Sequence, residues 1–198
     1  IETDQALVYV AYSSGEHSIY IEGNKIGKIK GPEVHQLSIA LSIGVLYVLE
    51  QDIKSIIKNS GSTKPVEHRQ SILTGKKGQK IIDNTFNSNP YSVLSSLKLL
   101  EDNAADGSKL WLVTPGMVEL GSEQFVMNKA FAEEASRIVD EVFVVGQTNK
   151  SALRAGFIDY GIKVNYVSNR DEAVKILDSL VNENDVVLFE NDLPDHYP

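Results

Sequence analysis

Four runs in the second half of the chain are apolar almost without interruption: KLWLVT at 109–114, EVFVVG at 141–146, IKVNYV at 162–167 and DVVLFE at 185–190. A strand wet on one face alternates polar and apolar side chains, so a run apolar at successive positions marks a strand covered on both faces. The stretches between the runs carry helix-start signals. Asn89 and Pro90 fit the N-cap and first position of a helix reaching about Glu101. Ser122 with Glu123 opens a helix to about Ile138, Thr148 or Asn149 one to about Tyr160, and 168–180 forms another. Strands and helices in alternation predict an α/β fold, a Rossmann-like and mostly parallel sheet with helices on both faces.

The first sixty residues have a different texture. ALVYVAY at 6–12 is rich in β-branched and aromatic residues, and 18–29 reads as two short strands around Gly23-Asn24, a hairpin turn. A helical segment follows over 33–59, with Leu37, Ala40, Leu41 and Val45 as its apolar stripe and a break near Glu50-Gln51-Asp52. NSGSTKP at 59–65 is small, polar and closed by Pro, so it serves as the linker between a unit at 1–60 and a second at 61–198. The second unit opens with a hairpin, RQSIL and QKIID flanking TGKKG.

Composition narrows the function. The net charge is −8 and the pI about 5.0, which argues against nonspecific binding to nucleic acid or an anionic membrane. No apolar run is long enough to span a bilayer. The chain has no cysteine, which excludes disulfides, thiolate metal sites and cysteine nucleophiles and fits a cytoplasmic location. The four histidines lack metal-ligand spacing, and no serine near them has support as a triad nucleophile. GNKIGK at 23–28 lacks the spacing and helix context of a phosphate loop.

Open parallel sheets bind ligands beyond the carboxyl ends of their strands. Four such ends are candidates: 83–89, 114–121, 146–149 and 190–195. The first is the most polar, with Asp83, Asn84, Asn87 and Asn89 in seven residues. Capping the next helix needs one of them, and Asn89 is placed for it; the other three are candidate ligand groups. Arg69, just after the linker, is either a phosphate-binding guanidinium or a surface residue. TPGMVELG at 114–121 is a strand-to-helix loop with two glycines. Glu190, Asp192 and Asp195 close the chain as ligand groups or as a solvated acidic tail.

In order, these segments resemble the last part of a Mur ligase. DNTFNSNP at 83–90 is similar to that family's Asp-Asp-Ser-Tyr-Asn-Ala-Asn-Pro loop, and PGMVELG at 115–121 to its Gly-Asp-Met-x-Glu-Leu-Gly loop. The resemblance is closest to the branch that adds D-alanyl-D-alanine to a UDP-N-acetylmuramoyl-tripeptide. It covers 61–198 well and 1–60 weakly, as the tail of a central ATPase domain. It implies an ATP- and Mg²⁺-dependent amide ligase of peptidoglycan synthesis, acting on a UDP-muramoyl-peptide and an amino acid or dipeptide. Arg69, Asp83, Asn84 and Asn87 would face the nucleotide, and Thr114, Glu119, Glu190 and Asn191 the substrates. The chain departs from the family in three places. It has no phosphate loop, so alone it is expected to be inactive, with ATP and Mg²⁺ held mainly by an upstream region. Glu33-Val34 stands where a His-Asn pair is usual, and Glu190-Asn191-Asp192 where Lys-Gly-Ser is usual. The rival reading is a non-catalytic Rossmann-like nucleotide-binding or interaction module.

Overall fold

The computed structural model describes residues 7–31, 35–60, 66–193 and 197. The chain divides into two compact units, Ile1–Lys64 and Pro65–Pro198. The expected linker at 59–65 lies mostly outside the described residues.

The first unit is an antiparallel three-stranded sheet, β1 (Val8–Ser13), β2 (Glu16–Ile21) and β3 (Asn24–Lys30), with α1 (Gln36–Val48) and α2 (Ile53–Asn59). The turn between β2 and β3 uses Glu22 and Gly23, both at positive φ. Asp52 caps α2, its carboxylate accepting from the Ser55 N–H at 3.1 Å. The core of this unit is Val10, Ile19, Ile21, Ile43, Ile53 and Ile57. Of the apolar stripe read from the sequence of α1, Ala40 packs against this core and the other three residues do not. Leu37, Leu41, Val45 and Val48 are 60–70% exposed, while Ile39, Ile43 and Leu46 face the sheet. The helix is apolar nearly all round, so spacing alone cannot say which side meets the core.

The second unit is a six-stranded sheet ordered β4-β5-β9-β6-β7-β8. β4 (Ser71–Thr74) is antiparallel to β5 (Lys80–Asn84); β5, β9 (Val186–Glu190), β6 (Leu110–Thr114), β7 (Glu141–Val145) and β8 (Lys163–Val167) are parallel. From β5 to β8 the chain crosses the sheet in one direction, and from β8 to β9 it returns. Right-handed crossovers then require the outward helices on one face and the returning helix on the other. The packing agrees. Val93, Leu97 and Leu100 of α3 (Pro90–Asp102), Phe131 and Ala132 of α4 (Gln124–Ala135), and Leu153 and Phe157 of α5 (Lys150–Phe157) cover Ile82, Leu112, Val142 and Leu188. Ala173 and Leu177 of α6 (Arg170–Leu180) cover Trp111, Val113, Phe143 and Val187. Gly156 lets α5 lie directly on α4, since a Cβ there would strike the Lys129 carbonyl and the Ala132 methyl.

Helix starts differ from the sequence reading at three places. Asn89 does cap α3, accepting from Tyr91 and Ser92 N–H, each at 3.0 Å, with the Ser92 hydroxyl accepting from the Asn89 N–H. α4, however, begins after a 3-10 turn at Gly121–Glu123 and ends at Ala135, without a side-chain cap. Asn149 precedes α5 without capping it, because its side chain is used elsewhere. α6 is capped by Asn169, which accepts from Glu172 N–H at 2.9 Å.

Candidate functional site

β5, β9 and β6 lie side by side, so their carboxyl ends and the loops beyond them form one continuous edge. Asn84 is opposite Glu190 in the β5–β9 ladder, and the Asn191 N–H donates to the Asn84 carbonyl at 3.0 Å. Three of the expected site residues thus come together because β9, last in sequence, inserts between β5 and β6.

The loop after β5 is held from two sides. Asp83 is nearly buried and accepts from the Thr85 hydroxyl at 2.7 Å and N–H at 3.2 Å, with His68 Nδ1 at 2.8 Å from its other oxygen. Burial opposes ionisation of this carboxyl; the Thr85 and His68 contacts outweigh it and hold its pKa below the usual carboxylate value. Asn84 Oδ1 accepts from the Gln70 N–H at 3.2 Å, and Phe86 N–H donates to the His68 carbonyl at 3.1 Å. These bonds fasten 68–70 to the end of β5. Arg69 sits between two non-glycine residues in the left-handed region, His68 at φ 61° and Gln70 at φ 54°. Such a backbone costs about 1–3 kcal/mol per residue and is kept where the surroundings over-determine it. Arg69 is exposed and stacks on the exposed Phe86 ring, its guanidinium carbon 4.0 Å from the centroid. Asn87 is exposed too, its Oδ1 accepting from Ser88 N–H at 2.7 Å. Arg69, Phe86 and Asn87 form the outward surface of this edge; Asp83 lies at its base.

The sequence leaves Glu190 two readings, a ligand group or part of a solvated tail. It is fully buried, so it belongs to no solvated tail. Both carboxylate oxygens lie 3.0 Å from Asn84 Nδ2, and the Ser88 hydroxyl donates to one of them. Asn84 Nδ2 also reaches the Ser96 hydroxyl on α3 at 3.0 Å. Burial pushes the Glu190 carboxyl up, while the donors from Ser88, Asn84 and Ser96 pull it back only in part. Asp192 is exposed and pairs with Arg170 at 2.9 Å; Asp195 lies outside the described residues.

The loop after β6 is built on buried polar contacts. Thr114 is fully buried, its hydroxyl accepting from Gly116 N–H at 2.9 Å. Asn128, in the middle of α4, accepts from Met117 N–H at 2.7 Å and donates to the Met117 carbonyl at 2.9 Å. Asn149 donates to the Pro115 and Met117 carbonyls, each at 2.9 Å, and Asn191 donates to the Gly116 carbonyl at 2.7 Å. Gly116, at φ 78°, has Asn128 and Asn149 where a Cβ would be. Of the four expected substrate residues, Glu119 alone is exposed, at φ 64°. Sequence reasoning passed over Asn128, Ser88, Ser96 and Gln70. A polar residue mid-helix was the one available signal for Asn128, and nothing distinguished the serines.

Beside this edge is a cleft of about 420 Å³ at the ends of β6, β7, β8 and β9, lined among others by Gly146, Asn169, Arg170, Asp192 and Tyr197. Among the described residues no cluster of His, Asp and Glu is arranged to hold a metal ion, and no helix is long and apolar enough to cross a membrane.

Residues 68–190 match the family described as Mur ligase, glutamate ligase domain. The chain is 28% identical over 158 residues to the UDP-N-acetylmuramoyl-tripeptide--D-alanyl-D-alanine ligase of Buchnera aphidicola subsp. Baizongia pistaciae, covering 78% of this chain and 33% of that protein. It is 26% identical over 174 residues to the ligase of the same name from Mycobacterium leprae, covering 79% of this chain and 34% of that one. The chain thus spans about a third of the length of these relatives. In fold it is similar to a MurF ligase from Thermotoga maritima in complex with ADP, with a TM-score of 0.71 and 22% identity over 92% of this chain and 42% of that one. A MurF from Acinetobacter baumannii gives a TM-score of 0.76 at 16% identity, over 95% of this chain and 42% of that one.

Proposed function

This chain belongs to the Mur ligase family, and we propose that it is the C-terminal portion of an ATP-dependent amide ligase of peptidoglycan precursor synthesis. In that reaction a carboxylate of a UDP-muramoyl-peptide attacks the γ-phosphate of ATP, releasing ADP and forming an acyl phosphate. The amine of an amino acid or dipeptide then attacks the acyl carbon, and inorganic phosphate leaves. Mg²⁺, for which the described residues of this chain offer no ligand cluster, would be held by the rest of the enzyme and would neutralise the phosphates; the reaction runs in the cytoplasm, where ATP and the nucleotide-linked precursor are found. Water must be kept from the acyl phosphate, which is the reason for a domain that closes on the nucleotide.

The second unit contributes the nucleotide-facing edge. Arg69 meets phosphate or ribose oxygens, and Asp83 and Asn87 accept from or donate to the nucleotide, with Asn84 holding the loop from inside. The observation that carries this reading is the strained backbone on both sides of Arg69, fastened to the end of β5 by the Asn84 side chain and the Phe86 N–H. The cleft beside it, with Arg170 and Asp192 on its wall, gives room for the incoming zwitterionic amine. The first unit is the tail of the central ATPase domain. Its support is the exposed apolar face of α1, a surface that suits burial inside a larger domain. This chain has no phosphate loop, so turnover requires the rest of the enzyme.

The test is steady-state kinetics on the whole enzyme with a UDP-muramoyl-tripeptide, D-alanyl-D-alanine and MgATP. Asp83→Ala and Arg69→Ala should lower kcat/KM for ATP about tenfold to a hundredfold, the effect of about 1.5–3 kcal/mol of lost charged contact. ATP-dependent ligation that is insensitive to both substitutions refutes the nucleotide-facing edge. Absence of any ATP-dependent ligation favours a binding module.

A further inference from the structure

We infer that Glu190 is a positioning residue, a buried two-point clamp that sets the 83–89 loop for nucleotide through Asn84 and Ser88. The inference rests on the nucleotide-facing reading of that loop. Glu190 sits where β9 runs between β5 and β6, the middle of the sheet, and it is 0% exposed. Its neighbours along the strand on the same face, Leu188 and Val186, are core residues, and an apolar side chain at position 190 would continue that core. Replacing a buried charged group by a packed apolar one is often neutral or stabilising, so stability does not account for a carboxylate here.

Its partners account for it better. Besides the Ser96 hydroxyl on α3, the carboxylate meets two residues of one loop, Asn84 at the end of β5 and Ser88 next to the cap of α3. Each partner adjoins a residue assigned to the nucleotide: Asn84 follows Asp83, and Ser88 follows Asn87. The three residues between the anchors, Thr85, Phe86 and Asn87, are thereby spanned from both ends. Asn89 fixes only the helix side, and its cap would hold α3 equally well with the loop in another path. Asn84 passes the constraint on, since its Oδ1 holds the Gln70 N–H, one residue past Arg69. One buried carboxylate therefore fixes the spacing of Arg69, Asp83 and Asn87. A glutamine in its place has one acceptor oxygen instead of two and would turn its amide NH2 toward a donor, so it cannot hold Asn84 and Ser88 together.

The experiment titrates the whole protein with Mg-ADP by calorimetry and follows melting by scanning calorimetry. The variants are Glu190→Gln, Glu190→Met, Ser88→Ala, the double variant Glu190→Gln/Ser88→Ala, and Asp83→Ala. The clamp predicts that both Glu190 variants bind Mg-ADP about tenfold more weakly, while Glu190→Met melts no lower than the wild type. It also predicts that the double variant is no weaker than Glu190→Gln alone within about twofold, because Glu190→Gln has already released the Ser88 end of the loop. If Asp83→Ala weakens Mg-ADP binding and the Glu190 variants do not, the clamp is overturned while the nucleotide-facing loop stands. If the double variant is weakened by the product of the single effects, Glu190 does not act through Ser88 and the clamp is overturned as well. If Asp83→Ala has no effect on Mg-ADP, the loop does not face nucleotide and the inference falls with it. Should Glu190→Met fail to fold, Glu190→Gln, nearly identical in shape, decides the matter alone.

Discussion

Asn149 and Asn89 both stand immediately before a helix, yet their substitution should have very different consequences. Asn89 is exposed and supplies its Oδ1 to two N–H groups at the start of α3. In Asn89→Ala water reaches both N–H groups, so the loss is that of a cap, about 1 kcal/mol. Asn149 is 3% exposed and does no capping. It donates to the Pro115 and Met117 carbonyls and accepts from Gln124 Nε2 at 3.0 Å and Asn128 Nδ2 at 3.3 Å. Asn128 still serves the Met117 carbonyl in its absence, but the Pro115 carbonyl loses its partner in the interior. One unsatisfied buried acceptor costs about 1–3 kcal/mol, and the vacated amide volume adds to it, so Asn149→Ala should lose about 2–4 kcal/mol. At about 2–4 °C per kcal/mol, Tm should fall by roughly 4–16 °C, against roughly 2–4 °C for Asn89→Ala. Trp111, the sole tryptophan of this chain and 1% exposed in the second unit, reports that unit's unfolding by fluorescence in heat or urea. Asn149→Ser sharpens the comparison: serine is as good a cap as asparagine but too short to reach the two carbonyls. A Ser variant as stable as wild type, or an Ala variant no worse than Asn89→Ala, would show that Asn149 is a cap and that the internal network is wrongly drawn.

Three further outcomes are expected. Gly156→Ala should destabilise the second unit by about 1–3 kcal/mol or more, because the new methyl meets the α4 backbone at Lys129, and the same fluorescence-monitored urea titration measures it. Glu190 has a raised folded-state pKa, so the stability it contributes is complete below its ordinary value of 4.5 and is lost as pH rises through the folded value. Glu190→Gln should therefore gain on wild type in Tm as pH is raised above 4.5, and melting temperatures that stay parallel as pH rises would contradict the assignment. The purified chain alone should release no phosphate from ATP above background in a phosphate assay, and turnover at the rate of an intact ligase would contradict its reading as a portion of one.

The strands were the most readable part of the sequence because the sheet is covered on both faces. Trp111, Leu112 and Val113 are buried in succession, and so are Val186, Val187 and Leu188, which leaves a run no surface element shows. The opposite case is α1, where apolar residues surround the helix. The Leu37–Leu41–Val45 stripe looked like a core face, and its exposure follows from where the sheet lies, which the helix's own sequence does not record. Asn149 looked like a cap because an Asn before a helix has the same local signature whether its amide turns to the helix or to a neighbouring loop. Glu190 read equally as a ligand group or as part of an acidic tail, because strand order is not local. Once β9 inserts between β5 and β6, the last residue of the last strand becomes the centre of the edge, and a residue at the sequence periphery becomes one of the most enclosed. Asp83 and its loop were legible as polar at a strand end. Their fastening to His68, Gln70 and Ser96 was not, since those contacts join segments far apart in sequence.

We propose that the carboxyl edge of β5, with the segment around Arg69, faces the nucleotide. Hydrogen–deuterium exchange of the whole protein with and without a non-hydrolysable MgATP analogue tests it most directly. Slower exchange over 68–70 and 83–89 is expected on addition of the analogue, with the slowing lost in Asp83→Ala. Unchanged exchange in both segments, with protection elsewhere in the protein, would contradict it.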